Sequence, residues 1–338
     1  MISFTIYNVH SNHPSLDSNS SVHSPHAPAR GSVLQSIAEI RPSHSIHFYD
    51  PEDSLPNSEL VTHLCEVFFT YVGGCFPCFQ REIFLRELAE KKLEPILVDA
   101  VCAVGARFSM HPLLKSEVGG KNDFPRHGDA FAHRAMCAVV DALSCPTLAV
   151  VQACLLIAWG EFGSNRDSGL WMYLGISIRM AQDLGMQKIE GMEHRYGRVG
   201  LAPKHVQSGH TSDFSEAQLP DSPDGAKGDQ STDEEDRRKE RERVDTFWGI
   251  FFLDRVISSG TGRPVTLRDD DTEICFPLQS ESFLSNGWPA PFPALIRVIH
   301  LYGRITDLLN SIKEVNHVTP EKLQLLAGME SDLTGACV

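Results

Sequence analysis

Val244-Asp-Thr-Phe-Trp-Gly-Ile-Phe-Phe-Leu-Asp-Arg255 is the stretch on which the fold class turns. Val244, Phe247, Trp248, Phe251, Phe252 and Arg255 fall at i, i+3, i+4, i+7, i+8 and i+11, one face of a 3.6-residue helix. A strand would send Phe247 and Trp248 to opposite sides. Upstream lie the mixed-charge run Arg237 to Arg243 and the acidic run Asp233-Glu234-Glu235-Asp236. The acidic run is expected to precede the helix at the positive end of its dipole, with the basic run in the first turns and paired along the surface. Downstream, Gly262-Arg263-Pro264 ends the helix, and Pro277, Pro289, Pro291 and Pro293 keep the chain extended. Ala294 to Ile312 and Glu321 to Leu333 then read as helices; the second runs on towards Val338, so both ends of the chain look cut.

The same period governs the N-terminal half. Leu60, Val61, Leu64, Val67, Phe68 and Tyr71 form a stripe with Asn57 or Ser58 as cap and Gly73-Gly74 as stop. Pro95 opens a helix through Phe108 that is apolar nearly all round. Arg126 to Leu143, Leu148 to Phe162 after Pro146, and Asn165 to Leu184 closed by Gly185 complete the set. Strand alternation and hairpin turns are missing, which predicts an all-α fold with helices packed irregularly in one domain, residues 57–338. Residues 1–56, rich in Ser, His and Pro, are expected to be disordered, as is an acidic insertion over 189–236.

A hydrophobic fraction of 42% suits a chain that buries a core, and a net charge of −14 opposes binding to phosphate by counterion release. There is no apolar run long enough for a membrane span and no secretory start. Most of the cysteines are scattered singly through helical stretches (Cys65, Cys102, Cys137, Cys154), as in a reduced intracellular protein.

Few residues suggest chemistry. Cys75-Phe76-Pro77-Cys78 has redox or zinc spacing but neither a βαβ context nor two further ligands nearby. Many of the histidines lie in the N-terminal segment, without H-E-x-x-H spacing, and Gly73-Gly74 and Gly119-Gly120 lack the Lys-Ser/Thr of a phosphate loop. No nucleophile elbow occurs. Trp171, Tyr173, Leu174 and Ile178 read as core at helical spacing. Arg179, Asp183, Asp254 and Arg255 lie in strongly apolar helices and must be paired or solvated. Arg179 and Asp183 are spaced to pair on one face, and Asp254 is expected to meet an Arg of a neighbouring helix.

Several stretches in order resemble one family. Gly74-Cys-Phe-Pro-Cys-Phe-Gln-Arg-Glu-Ile-Phe84, Pro95 to Phe108 with Arg107, and Pro146-Thr-Leu-Ala-Val-Val-Gln-Ala-Cys-Leu155 are similar to successive motifs of the fungal-specific transcription factor domain. Trp171-Met-Tyr-Leu-Gly-Ile-Ser-Ile-Arg-Met-Ala-Gln-Asp-Leu-Gly185 resembles its strongest motif, carrying Trp171, Gly175, Arg179 and Asp183. Phe247-Trp248, Asp254-Arg255 and Gly262-Arg263-Pro264 resemble the motif that follows, closest to the xylanolytic-activator-like subtype. The C-x-x-C then straddles a family Phe-Pro and is incidental, and Gln80 stands where the family commonly has His.

The resemblance implies the middle homology region of a zinc-cluster regulator: a nuclear, non-enzymatic module of transcription regulation that works with the transcription machinery or related zinc-cluster regulators, as a homo- or heterodimer. The family reads DNA through an N-terminal six-cysteine cluster holding zinc. No cysteine precedes Cys65, so DNA binding and zinc are expected only of a cluster upstream, and this chain is expected to hold no cofactor and no catalytic or metal site. The alternative is a partner protein without DNA contact of its own that heterodimerises with related regulators.

Overall fold

The computed structural model describes residues 46–114, 128–206, 230–284, 286–314 and 317–336. Nine helices span them: α1 Glu59–Tyr71, α2 Arg81–Ala89, α3 Pro95–Ala106, α4 Asp129–Ala142, α5 Leu148–Gly163, α6 Asp167–Asp183, α7 Gln230–Thr261, α8 Phe292–Asn310 and α9 Pro320–Ala336. Among the described residues the only β pairing is an isolated bridge between Phe283 and Pro289. The all-α reading holds.

Two helices are apolar on nearly every face because neighbours surround them. α3 starts at Pro95, whose missing N–H costs nothing in a first turn, and packs against α1, α4 and α5. It crosses α1 at backbone distance: a Cβ on Gly105 would fall 2.3 Å from the Leu64 carbonyl oxygen. α5 starts where the Thr147 hydroxyl accepts from Val150 N at 3.2 Å, and it packs most extensively on α6. There the buried Ser177 hydroxyl donates to Val151 O at 3.0 Å, so the α5–α6 seam carries no orphan hydroxyl. α7 lies across α5 and α6 with Phe247, Trp248 and Phe251 wholly buried, and continues onto α8, which α9 covers in part.

Three boundaries differ from the sequence reading. Residues 1–45 lie outside the described residues, but 46–50 are docked: Tyr49 is 1% exposed and Phe48 meets Phe131 edge to face. Of the expected insertion, 207–229 lies outside the described residues, while 189–206 packs on the body through the buried Met192, Tyr196 and Ala202. The acidic run does not precede α7. The helix begins at Gln230, so Asp233 to Asp236 sit inside its first turns, where the dipole favours them. α2 had no apolar run to announce it; only Phe84 and Leu88 are buried on it.

Candidate functional site

α7 ends in a Schellman turn. Gly262 takes φ +66°, and Arg263 N donates back to Ser258 O at 3.1 Å. Pro264 follows and prevents continuation, so the chain doubles back beside the helix it has just left. That return brings the N–H groups of Thr266 and Leu267 to the Asp254 carboxylate, each 2.9 Å from Oδ2. Arg255, the next residue, donates to Leu267 O at 2.8 Å and to Asp269 Oδ1 at 2.5 Å. Its guanidinium lies 4.3 Å from the Phe251 ring centroid. From α8, His300 Nε2 stands 2.8 Å from Asp269 Oδ2. An ionised Asp269 can only accept, so His300 carries its proton on Nε2.

The electrostatics follow from burial. Desolvation pushes the Asp254 carboxyl up, against the pull of the Leu267 N–H. Burial also pushes Asp269 up, but His300 and Arg255 together overcome it and hold that carboxyl below its ordinary value. Desolvation takes His300 below the usual imidazole value despite Asp269. The network continues into the core, where Phe276 meets the His300 ring at 5.1 Å and stacks on Trp248 at 5.2 Å. Each charged group in this corner meets another protein group. Such an arrangement locks α7, the 262–271 turn and α8 together.

The structure gathers only some of the family-motif residues here. Asp254, Arg255, Gly262 and Pro264 belong to the corner, with Phe247 and Trp248 in the core behind it. Arg263 extends it to α6, its guanidinium 4.7 Å from the Trp171 ring. Asp254 does not meet an Arg of a neighbouring helix; loop N–H groups satisfy it, which a short return turn supplies more cheaply than a second charge. Arg179 and Asp183 are not embedded. Both are exposed, and Arg179 donates to Gln182 at 3.0 Å instead of pairing with Asp183. Around Gly175 no atom lies within 4 Å of a Cβ position, so no close approach requires glycine there.

Arg107 stands apart, at the C-terminal end of α5. It donates to Gly160 O at 2.9 Å, to Ser164 Oγ at 3.1 Å and to Gly163 O, meeting carbonyls that a helix end leaves bare. The cavity beside it, about 30 Å³ and lined also by Arg166, Glu161 and Asp129, has room for no more than a water or two.

Sequence reasoning missed Asp269, hidden in an Asp-Asp-Asp run that reads as solvated, and His300. The signal for His300 was present: it falls on the buried face of α8 with Ile296 and Gly303. It also missed a second buried seam on α7. Tyr196 donates to Asp245 Oδ1 at 2.6 Å, while Gln152 donates to Glu242 at 2.9 Å and Thr246 at 3.1 Å. Burial raises Asp245 to about 6. The same seam holds Cys78, whose thiol burial pushes well up, while Cys75 is raised by partial burial; neither is set up as a thiolate.

A family zinc cluster does not fit the cysteines present. Cys65 Sγ and Cys102 Sγ meet at 3.9 Å, buried where α1 crosses α3, but no third ligand joins them, and among the described residues no three His, Cys, Asp or Glu side chains are grouped to hold a metal. No step through zinc is therefore assigned to this chain.

The model of the fungal specific transcription factor domain matches residues 65–320. The Zn(2)-C6 fungal-type transcription factor FTF1c of Fusarium oxysporum f. sp. lycopersici is 27% identical over 291 residues, covering 78% of this chain and 27% of the relative. A transcriptional regulatory protein of Schizosaccharomyces pombe is 30% identical over 230 residues, 67% of this chain and 20% of its own length. The nitrogen assimilation transcription factor nirA of Emericella nidulans is 25% identical over 224 residues, 64% of this chain and 20% of the relative. The chain thus spans about a quarter or less of the curated relatives it matches. No solved structure matches it. With the family match running through α3, α5, α6, the Schellman turn and α8, the chain belongs to the fungal-specific transcription factor domain family.

Proposed function

We propose that this chain is a regulatory module of transcription, acting in the nucleus on the output of a zinc-cluster regulator and catalysing no reaction. The family match across 65–320 carries the reading. The geometry adds a physical means. The Asp254–Arg255–Asp269–His300 corner joins α7 to α8 through the Arg255–Asp269 ion pair and the Asp269–His300 hydrogen bond, and such a joint has a small set of discrete arrangements rather than a continuum. A partner or inducer that binds one arrangement better shifts the population towards it. The partners that fit are the transcription machinery and related zinc-cluster regulators, met as a homo- or heterodimer; zinc and DNA contact belong to a six-cysteine cluster outside this chain.

The test is a fusion of the whole chain to an unrelated DNA-binding module over a reporter gene in a fungal cell. Reporter output is expected to differ from that of the module alone, and to change again in Arg255→Ala at equal protein abundance. Identical output from the fusion and the bare module, with the fusion intact and nuclear, would overturn the reading.

A further inference from the structure

Residues 46–53 belong to no helix or strand, yet the body recognises them group by group. The Phe48 ring meets Phe131 of α4 at 5.1 Å and lies 4.8 Å from the Arg134 guanidinium. Tyr49 is buried, and its hydroxyl donates to Leu93 O at 3.1 Å. Arg134 Nη2 donates to Tyr49 O at 3.0 Å, while its Nε meets Asp99 of α3 at 3.1 Å. Lys91 holds the other end, donating through Nζ to Asp50 O at 2.9 Å and to Asp53 O at 2.5 Å. Its backbone adopts φ +56°, a left-handed conformation that a lysine rarely takes, at the turn closing α2. Residues 51–56 are exposed.

We propose that Asp99, Phe131, Arg134 and the 91–93 turn form a binding site for an extended aromatic peptide, occupied reversibly and in cis by residues 46–53. The contacts divide as in other extended-peptide sites. Arg134 and Lys91 grip main-chain carbonyls whatever the sequence, while the Phe48 and Tyr49 positions read aromatic side chains. A segment held by such points, without a ladder or helix of its own, opens locally at a free energy below that of global unfolding. Opening adds eight residues, roughly 26–29 Å fully extended, to the tether of whatever precedes residue 46. It also bares a groove for another segment of the same chemistry. The inference is independent of the regulatory role proposed above.

Hydrogen exchange read by mass spectrometry on the full chain decides it, comparing wild type with Lys91→Gly and Arg134→Ala. Lys91→Gly is the cleaner variant, because glycine suits φ +56° and only the ammonium contacts are lost. Amides of 46–53 are expected to exchange at least tenfold faster in both variants, with α3 and α5 unchanged. Unchanged exchange of 46–53 in Lys91→Gly would overturn the proposal. So would acceleration of 46–53, α3 and α5 in step, since the segment would then open only with the whole core. Should Arg134→Ala not fold, Lys91→Gly decides alone.

Discussion

A Cβ at position 303 would sit 2.6 Å from Arg255 Cδ, and Arg255 has nowhere to retreat because its head is fixed by Leu267 O and Asp269. Gly303→Ala is therefore expected to destabilise the fold by about 1–3 kcal/mol, well beyond the fraction of a kcal/mol that alanine gains in a helix. A urea titration followed by circular dichroism measures it, and a midpoint equal to wild type would mean that Arg255 is not held as described. His300 contributes a pH dependence of definite sign. Its pKa is lower in the folded than in the unfolded state, so protonation favours unfolding, and stability should fall as pH drops below about 6.5. Asp269, also depressed, adds a loss at still lower pH, as pH falls through the carboxylate range. Asp99, raised to about 7 by burial against the pull of Arg134, acts oppositely and loses stability as pH rises to that value. The His300 share is isolated by comparing wild type with His300→Gln between pH 7.5 and 5.5. The variant should lose less of its melting temperature over that interval; an equal loss in both proteins would remove His300 from the account.

Elements show how far the sequence reaches. Helices with a sustained apolar stripe or an apolar surface all round, α1, α3, α5, α6 and the C-terminal part of α7, are legible because burial and period coincide in them. α2 was illegible because two buried side chains define no period, and the start of α7 because a charged first turn reads the same as an acidic linker. The docking of Phe48 and Tyr49 is tertiary: nothing local marks an aromatic pair in a Ser- and His-rich segment as buried until Arg134 and Phe131 are in place. The corner was half legible, since Asp254 and Arg255 signal themselves by their apolar surroundings and Asp269 does not. Helix ends give two further expectations. Thr147→Ala removes the acceptor for Val150 N and a donor to Glu94, and should cost about 1 kcal/mol. Gly262→Ala forces a side chain into φ +66° and should cost about 1–2 kcal/mol, with the turn that presents Thr266 and Leu267 to Asp254 loosened as well. Chemical denaturation measures both, and Arg263 NH exchange separates them, rising in Gly262→Ala alone.

At the scale of the molecule the charges set what the surface can hold. The net charge of −14 leaves one concentrated basic run, Arg237 to Arg243, in which Arg238, Arg241 and Arg243 are half-buried against the body and Arg237 and Lys239 stay exposed. Arg243 donates to Gly185 O at 2.6 Å and Leu184 O at 3.2 Å, closing the C-terminus of α6. Arg241 donates to Glu281 O at 2.8 Å and covers the Tyr196 ring, Arg238 lies 3.5 Å from Glu87, and Lys239 lies 2.7 Å from Glu235. A phosphate at this run would have to displace these partners and would still face an acidic body, which weakens the counterion release that drives duplex binding. Fluorescence anisotropy with a labelled duplex of about 20 base pairs at about 50 mM salt, conditions that exaggerate electrostatic binding, should show no saturable association at micromolar chain concentrations. Binding that weakens steeply with salt would require several phosphate contacts. It would mean that the basic face of α7 leaves its internal partners, and that this chain reads nucleic acid without a zinc cluster.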